Sequence, residues 1–225
     1  MQNSALQPDF QDSFATPFAK FLHPHAAQLN PQLKSLFFER EAEGEKWQEQ
    51  YAVPTLKVGI FESNFELFSW PDKCIQALRA FCMEALGQTI MSLNNYSPDE
   101  MRKLRTTNHC WFHITRKGGY MPAHNHPMAS WSGVYCVDPG QPDANNPDSG
   151  VIRFHDPRPG TNMYMDAGNC RLKEPYASGM LTFRFVPGML LLFPSSLYHD
   201  IAPFTSEGER ITVAFNAWTR HVDTL

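Results

Sequence analysis

The spacing of apolar residues along the chain changes character near Arg105. Before it, apolar positions recur at three and four residues; after it, short apolar, β-branched and aromatic runs are punctuated by Gly and Pro. Residues 1–30 are mixed, with Phe14, Phe18, Phe21 and Leu22 close to helical spacing, and read as a short lead-in followed by a loop. His23 and His25 flank Pro24 and read as a surface turn. Asn30 and Pro31 have the form of an N-cap and first helical residue, opening a helix with Leu33, Leu36 and Phe37 on one side. Its continuation, EREAEGEKWQEQY, is charged and predicts a solvated face or loop. TLKVGIF at 55–61 predicts an early strand. Pro71 then opens an amphipathic helix carrying Ile75, Leu78, Cys82, Ala85 and Leu86. Ser97, Pro98 and Glu100 form a capping box for a shorter helix through Leu104.

Beyond Arg105 the runs at 109–115, 130–137, 151–155, 180–186, 188–193, 199–204 and 210–218 predict seven strands. The pattern implies a mainly β protein with N-terminal helices: a double-stranded β-helix, or jelly roll, with the helices packed on one sheet. A chain of 225 residues suits one structural domain. Within it, 1–107 is expected to be a helical and strand support region and 108–220 the jelly-roll core.

Composition narrows the function. Apolar residues make up 42%, charged 19% and aromatic 13%, a globular balance. The formal charge of -4 and the scattered Lys and Arg offer no basic face for nucleic acid, which favours a small-molecule or peptide substrate. No run approaches the roughly 18 to 20 apolar residues of a membrane span, and MQNSALQPDF lacks the features of a signal peptide, so the expected location is cytoplasmic. Five cysteines without a CxxC pair fit reduced thiols and leave no thiolate zinc site. The oligomeric state is open, with a homodimer compatible.

Chemistry centres on the stretch from Gly119 to Val137. On extended backbone His124 and His126, two apart, leave the same face and can point at one metal ion. The third ligand is sought at His199, which follows the apolar run GMLLLFPSSLY. Imidazole binds Fe, Zn, Cu and Ni alike, so the residue type does not choose the metal. On the last strand Arg210, Thr212 and Asn216 share one face, and Ile211, Val213 and Phe215 the other. With the polar face inward, Arg210 needs a carboxylate partner. If TSEG at 205–208 is a hairpin turn, His199 lies opposite Ala214, four residues from Arg210 and so about 13 Å away along the strand. A metal-chelating dicarboxylate such as 2-oxoglutarate would span that gap. Trp111 and His113 share a strand face and are candidates for pocket lining, with plain core packing the equal alternative; Trp131 and Tyr135 also share a face, where aromatic core is the favoured assignment over pocket lining. His155, Asp156 and Arg158 end a strand near where a substrate would arrive. The loop at 159–179 has the length of a lid or specificity element.

HNHPMASWSGVYCV, GVIRFHDPR, PGMLLLFPSSLYHDIAP and ERITVAFNAW, in this order, resemble the successive motifs of Fe(II)- and 2-oxoglutarate-dependent oxygenases. The similarity is nearest to a small bacterial branch related to the prolyl hydroxylases. It covers about 108–218, and more faintly the N-terminal helices. It implies that His124 and His199 ligate iron, with His126 where the family usually has Asp or Glu. It also implies that Arg210 holds the distal carboxylate of 2-oxoglutarate, with Thr212 as a hydroxyl partner. Fe(II), 2-oxoglutarate and O2 would then support hydroxylation of a substrate C–H bond.

Three neutral His leave the full charge of the metal uncompensated, and three-His sites also serve cupin dioxygenases that use no 2-oxoglutarate. Asp138, Asp156 and Asp200 are reserve carboxylates. Two other readings stay open: a cupin-like three-His dioxygenase or isomerase in which Arg210 binds the substrate's carboxylate, and a non-enzymatic β-sandwich binding protein.

Overall fold

The computed structural model describes residues 9–50, 55–161 and 163–222. Most of MQNSALQPDF, Tyr51 at the end of the charged stretch and Asn162 in the long loop lie outside the described residues.

The N-terminal half supplies two edge strands and the helices. The lead-in is a strand, β1 (Ala19–Leu22), rather than a helical or loop segment: Phe21 faces the helix-side core while Phe18, just before it, packs into the second core cluster. The helix α1 (Ala26–Ala42) starts five residues earlier than the Asn30–Pro31 signal suggests, with His25 at its N-cap and Pro31 inside. Asn30 is not a cap. Its buried amide donates to Val137 O at 2.8 Å and accepts from Tyr135 Oη at 2.7 Å, tying the helix to the sheet. A tertiary bridge has taken the side chain that local pattern assigns to capping. Next come β2 (Val58–Glu62), the amphipathic α2 (Lys73–Leu93) and the short α3 (Pro98–Arg102), which carries the expected reciprocal capping box of Ser97 and Glu100.

The remaining strands are β3 (Leu104–His124), β4 (Trp131–Asp138), β5 (Ile152–His155), β6 (Met180–Phe183), β7 (Met189–Pro194), β8 (His199–Ile201) and β9 (Glu209–His221). Their order is β1-β7-β4-β9-β3-β8-β5-β6, with β2 on β3, all antiparallel. This curled arrangement is the expected jelly roll, with the helices on one face.

β3 is three times the length the sequence suggests because Lys117-Gly118-Gly119 forms a bulge rather than a stop. Ile60 pairs with Thr115 but Val58 with Tyr120, and Gly118 takes φ 85, a conformation open to glycine. Before the bulge β3 pairs with β9, and after it with β8, so one strand serves both layers. The hairpin expected at 205–208 does not form. β8 pairs with β3 and β5, which puts His199 opposite His124, whereas Ala214 pairs with Trp111 and Val134. The 205–208 turn instead carries the chain from one layer to the other, so the sequence-based distance between His199 and Arg210 does not apply.

Strand alternation sorts the side chains. Cys110, Phe112 and Ile114, Tyr135 and Val137, Leu190 and Leu192, and Ile211, Val213 and Phe215 pack on Leu33, Phe37, Ile75, Leu78 and Leu86 of the helices. Phe37 stacks on Phe112 with centroids 4.1 Å apart. Each such buried side chain contributes about 1.5–3 kcal/mol. The opposite faces of these strands turn inward, where Leu191 and Phe193 meet Ile152 and Phe154. Among the described residues no helix is long and apolar enough to cross a membrane.

Candidate metal centre and anion pocket

His124 ends β3 and His199 opens β8, paired across the ladder; His126 follows in the next turn, its N–H donating to Ser195 O at 2.9 Å. One ligand atom from each of the three rings lies within 4.8 Å of the others. His124 and His199 centroids are 4.3 Å apart, and each is 5.2 Å from His126. Two of the rings are held alike: Nδ1 of His124 is 2.9 Å from Pro122 O, and Nδ1 of His199 is 3.0 Å from Leu197 O. Donation to a carbonyl fixes the proton on Nδ1 and leaves Nε2 as the free lone pair. Burial lowers all three pKa values, with His126 pushed down to about 4 by burial and the neighbouring His124. Neutral imidazole is the form that binds a metal.

Arg210 is 3% exposed on the inner face of β9. Its Nη1 reaches Thr212 Oγ1 at 3.5 Å, Phe185 lies 5.8 Å from the guanidinium, and Nη2 has no partner among the described residues. Burial lowers its pKa, yet a guanidinium stays charged at neutral pH. Gly150 leaves the side chain its room, since a Cβ there would come within 3.0 Å of Arg210 Cδ. A buried cation with an open fork is a receptor for a carboxylate brought in from outside.

The other sequence-based candidates divide by face. Trp111 and His113 are buried on the inner side, with Trp111 Nε1 3.1 Å from His113 Nε2 and the Trp111 ring 6.0 Å from His126. Asn216 accepts from Ser132 Oγ at 2.7 Å, and Ser132 pairs in turn with Ser195. Trp131 and Tyr135 lie on the helix side, Tyr135 fully buried, so they belong to the core. His155 turns away from the triad to Asp200 Oδ2 at 2.8 Å. Arg158 pairs with Asp156 and donates to Ala177 O at 2.6 Å. The reserve carboxylates are engaged elsewhere: Asp138 with Lys34, Asp156 with Arg158, Asp200 with Arg153 and His155. The sequence reading missed Glu62, a buried carboxylate on β2 that stands 2.7 Å from His113 Nε2 and accepts from Lys57 Nζ at 2.6 Å. Only the alternation of VGIFE, which turns Ile60 and Glu62 away from Phe61, hints at it.

A cavity of about 290 Å³ lies between residues 12–18 and 174–181 and is lined by His155, Asp156 and Arg158. Phe154 and Leu197, at its inner end, also border His199, the ring of Phe154 at 5.4 Å.

Comparisons agree with this geometry. Residues 109–216 match the family described as "Putative 2OG-Fe(II) oxygenase". A prolyl-4-hydroxylase from Pseudomonas putida is similar in structure, with TM-score 0.59 and 16% identity over 90% of this chain and 92% of that one. So is a Trichoplax adhaerens prolyl hydroxylase solved with a hypoxia inducible factor peptide fragment, with TM-score 0.57 and 11% identity over 89% and 83%. HygX from Streptomyces hygroscopicus, solved with nickel, 2-oxoglutarate and hygromycin B, gives TM-score 0.57 and 11% identity over 90% and 82%. No curated protein matches the chain by sequence. Motif order, fold and a family match over just under half of the chain all point to the Fe(II)- and 2-oxoglutarate-dependent oxygenases. An oxidoreductase that uses Fe(II) and 2-oxoglutarate is the class these similarities support, and the His cluster could hold the iron. The residues present fit these groups: three neutral imidazoles for the metal and an orphaned buried guanidinium for a carboxylate.

Proposed function

We propose that this protein hydroxylates a small-molecule or peptide substrate, with His124, His126 and His199 holding Fe(II) and Arg210 the distal carboxylate of 2-oxoglutarate. The observation that carries the reading is the unpartnered Arg210 Nη2, buried on the same inner face that leads to the three imidazoles. When bound, iron and 2-oxoglutarate supply an O2-derived oxidant for a C–H bond, while 2-oxoglutarate is converted to succinate and CO2.

The chain's own residues set the conditions. Pro122 O and Leu197 O keep His124 and His199 in the tautomer that offers Nε2. Arg210, with Thr212 beside it, fixes one end of the cosubstrate and so its orientation. The apolar wall of Phe154, Leu191 and Phe193 keeps water from the centre. Substrate approaches through the cavity between 12–18 and 174–181, whose floor adjoins His199, and the 159–179 loop shapes its access.

Succinate formation from 2-oxoglutarate in the presence of Fe(II) and O2 tests this. Wild type is expected to release succinate in an iron-dependent way, with His124→Ala inactive and Arg210→Ala reduced at least about 100-fold at low 2-oxoglutarate. A wild-type protein that binds iron yet neither binds nor consumes 2-oxoglutarate would support the cupin-like alternative instead.

A further inference from the structure

Glu62 has no role in the reading above. It sits on the inner face of β2, opposite His113 in register, and is 6% exposed. Lys57 holds one carboxylate oxygen, and the other faces His113 Nε2. Trp111 Nε1 approaches the same nitrogen, and the Trp111 ring borders His126. The line Lys57, Glu62, His113, Trp111 therefore ends on His126. This is the one ring of the triad without a hydrogen bond among the described residues, the other two being pinned to carbonyls. An indole N–H only donates and an ionised carboxylate only accepts, so a single ring nitrogen cannot serve both in one tautomer. With Glu62 ionised the Nε2 proton faces the carboxylate, which fixes the His113 ring that Trp111 packs beside, and Trp111 in turn borders His126.

We propose that Glu62 is a positioning residue for His126, orienting that ring through His113 and Trp111. The proposal rests on the metal-centre reading above. Partners that orient metal ligands in this way commonly change metal affinity 10- to 100-fold.

Co(II) binding, followed by its visible ligand-field bands without 2-oxoglutarate, tests the proposal. Wild type, Glu62→Gln, Trp111→Phe, the double variant and His199→Ala are compared, with circular dichroism to establish folding. Wild type is expected to bind, and Glu62→Gln and Trp111→Phe to bind about ten-fold more weakly with shifted bands. The double variant is expected to be no weaker than the weaker single, because both changes act on one path. A folded Glu62→Gln with wild-type affinity and bands, or losses that add in the double variant, overturns the proposal and leaves the metal centre standing. If Glu62→Gln fails to fold, an unchanged Trp111→Phe overturns it alone. Absence of Co(II) binding by wild type, at the level of His199→Ala, overturns the metal centre and this inference together.

Discussion

Arg210 shows what a single residue reveals. The pattern RITVAFN was enough to place it inside, because Ile211, Val213 and Phe215 need the helix face. What the pattern does not reveal is whether the chain supplies its own counter-charge, and among the described residues no acid side chain does. An unpaired buried charge lowers the stability of the protein that carries it. Arg210→Met is therefore expected to be more stable than wild type without cosubstrate, by about 1–3 kcal/mol in urea unfolding. 2-Oxoglutarate at a hundred times its wild-type Kd should stabilise wild type by about 2.7 kcal/mol and the variant by no more than about 0.4 kcal/mol. Equal stabilisation of both proteins would remove Arg210 from the binding site.

Glu62 makes the complementary case at the same scale. Burial pushes its carboxyl up, but the contacts with His113 and Lys57 more than offset this, leaving it below the ordinary carboxylate value. A depressed carboxyl pKa contributes stability that is fully present above the unfolded value near 4.5 and is lost as pH falls through the folded one. Wild type should thus lose stability as pH drops below about 5, and Glu62→Gln should show a shallower acid limb from a lower plateau, measured by urea midpoints against pH. Parallel curves would mean that the carboxylate is not held as described.

The elements were legible wherever periodicity acted alone: α2, the capping box of α3 and the run of strands after Arg105 all follow from spacing. Three departures share a cause, a distant partner overriding a local signal. Asn30 bonds to β4 instead of capping α1. Ala19–Leu22 pairs with β7, whose position cannot be read from residues 1–30. Lys117–Gly119 bulges within β3 because β8 and β9 claim its two ends. Asn30→Ala should leave Tyr135 Oη and Val137 O without their partner and cost about 1–3 kcal/mol, read as a lowered urea midpoint with the far-UV spectrum preserved. A loss below about 0.5 kcal/mol would show that the bridge is not a fastening of helix to sheet.

At the scale of the whole molecule, the two His two apart were visible in the sequence, but their meeting with His199 depends on β3 crossing between layers, which no window of the chain contains. Burial also silences three of the cysteines, Cys82 and Cys110 between helices and sheet and Cys136 on the inner face. Burial pushes the Cys136 thiol up to about 12 and raises Cys82 and Cys110 as well, while Cys170 is exposed and Cys74 half-buried. Titration with an aromatic disulfide at pH 8 should label Cys170 at once and Cys74 slowly, with the other three reacting only on unfolding. Rapid labelling of all five would contradict the packing.

The central claim, that three imidazoles and one buried guanidinium form a single site for iron and 2-oxoglutarate, is tested most directly by anaerobic titration of the Fe(II)-loaded protein with 2-oxoglutarate. The readout is the weak visible charge-transfer band of the chelate. Wild type should develop the band, His199→Ala should not, and Arg210→Ala, still binding Fe(II), should show little of it at the wild-type midpoint concentration. A full band from Arg210→Ala at that concentration, or none from wild type, would contradict the account.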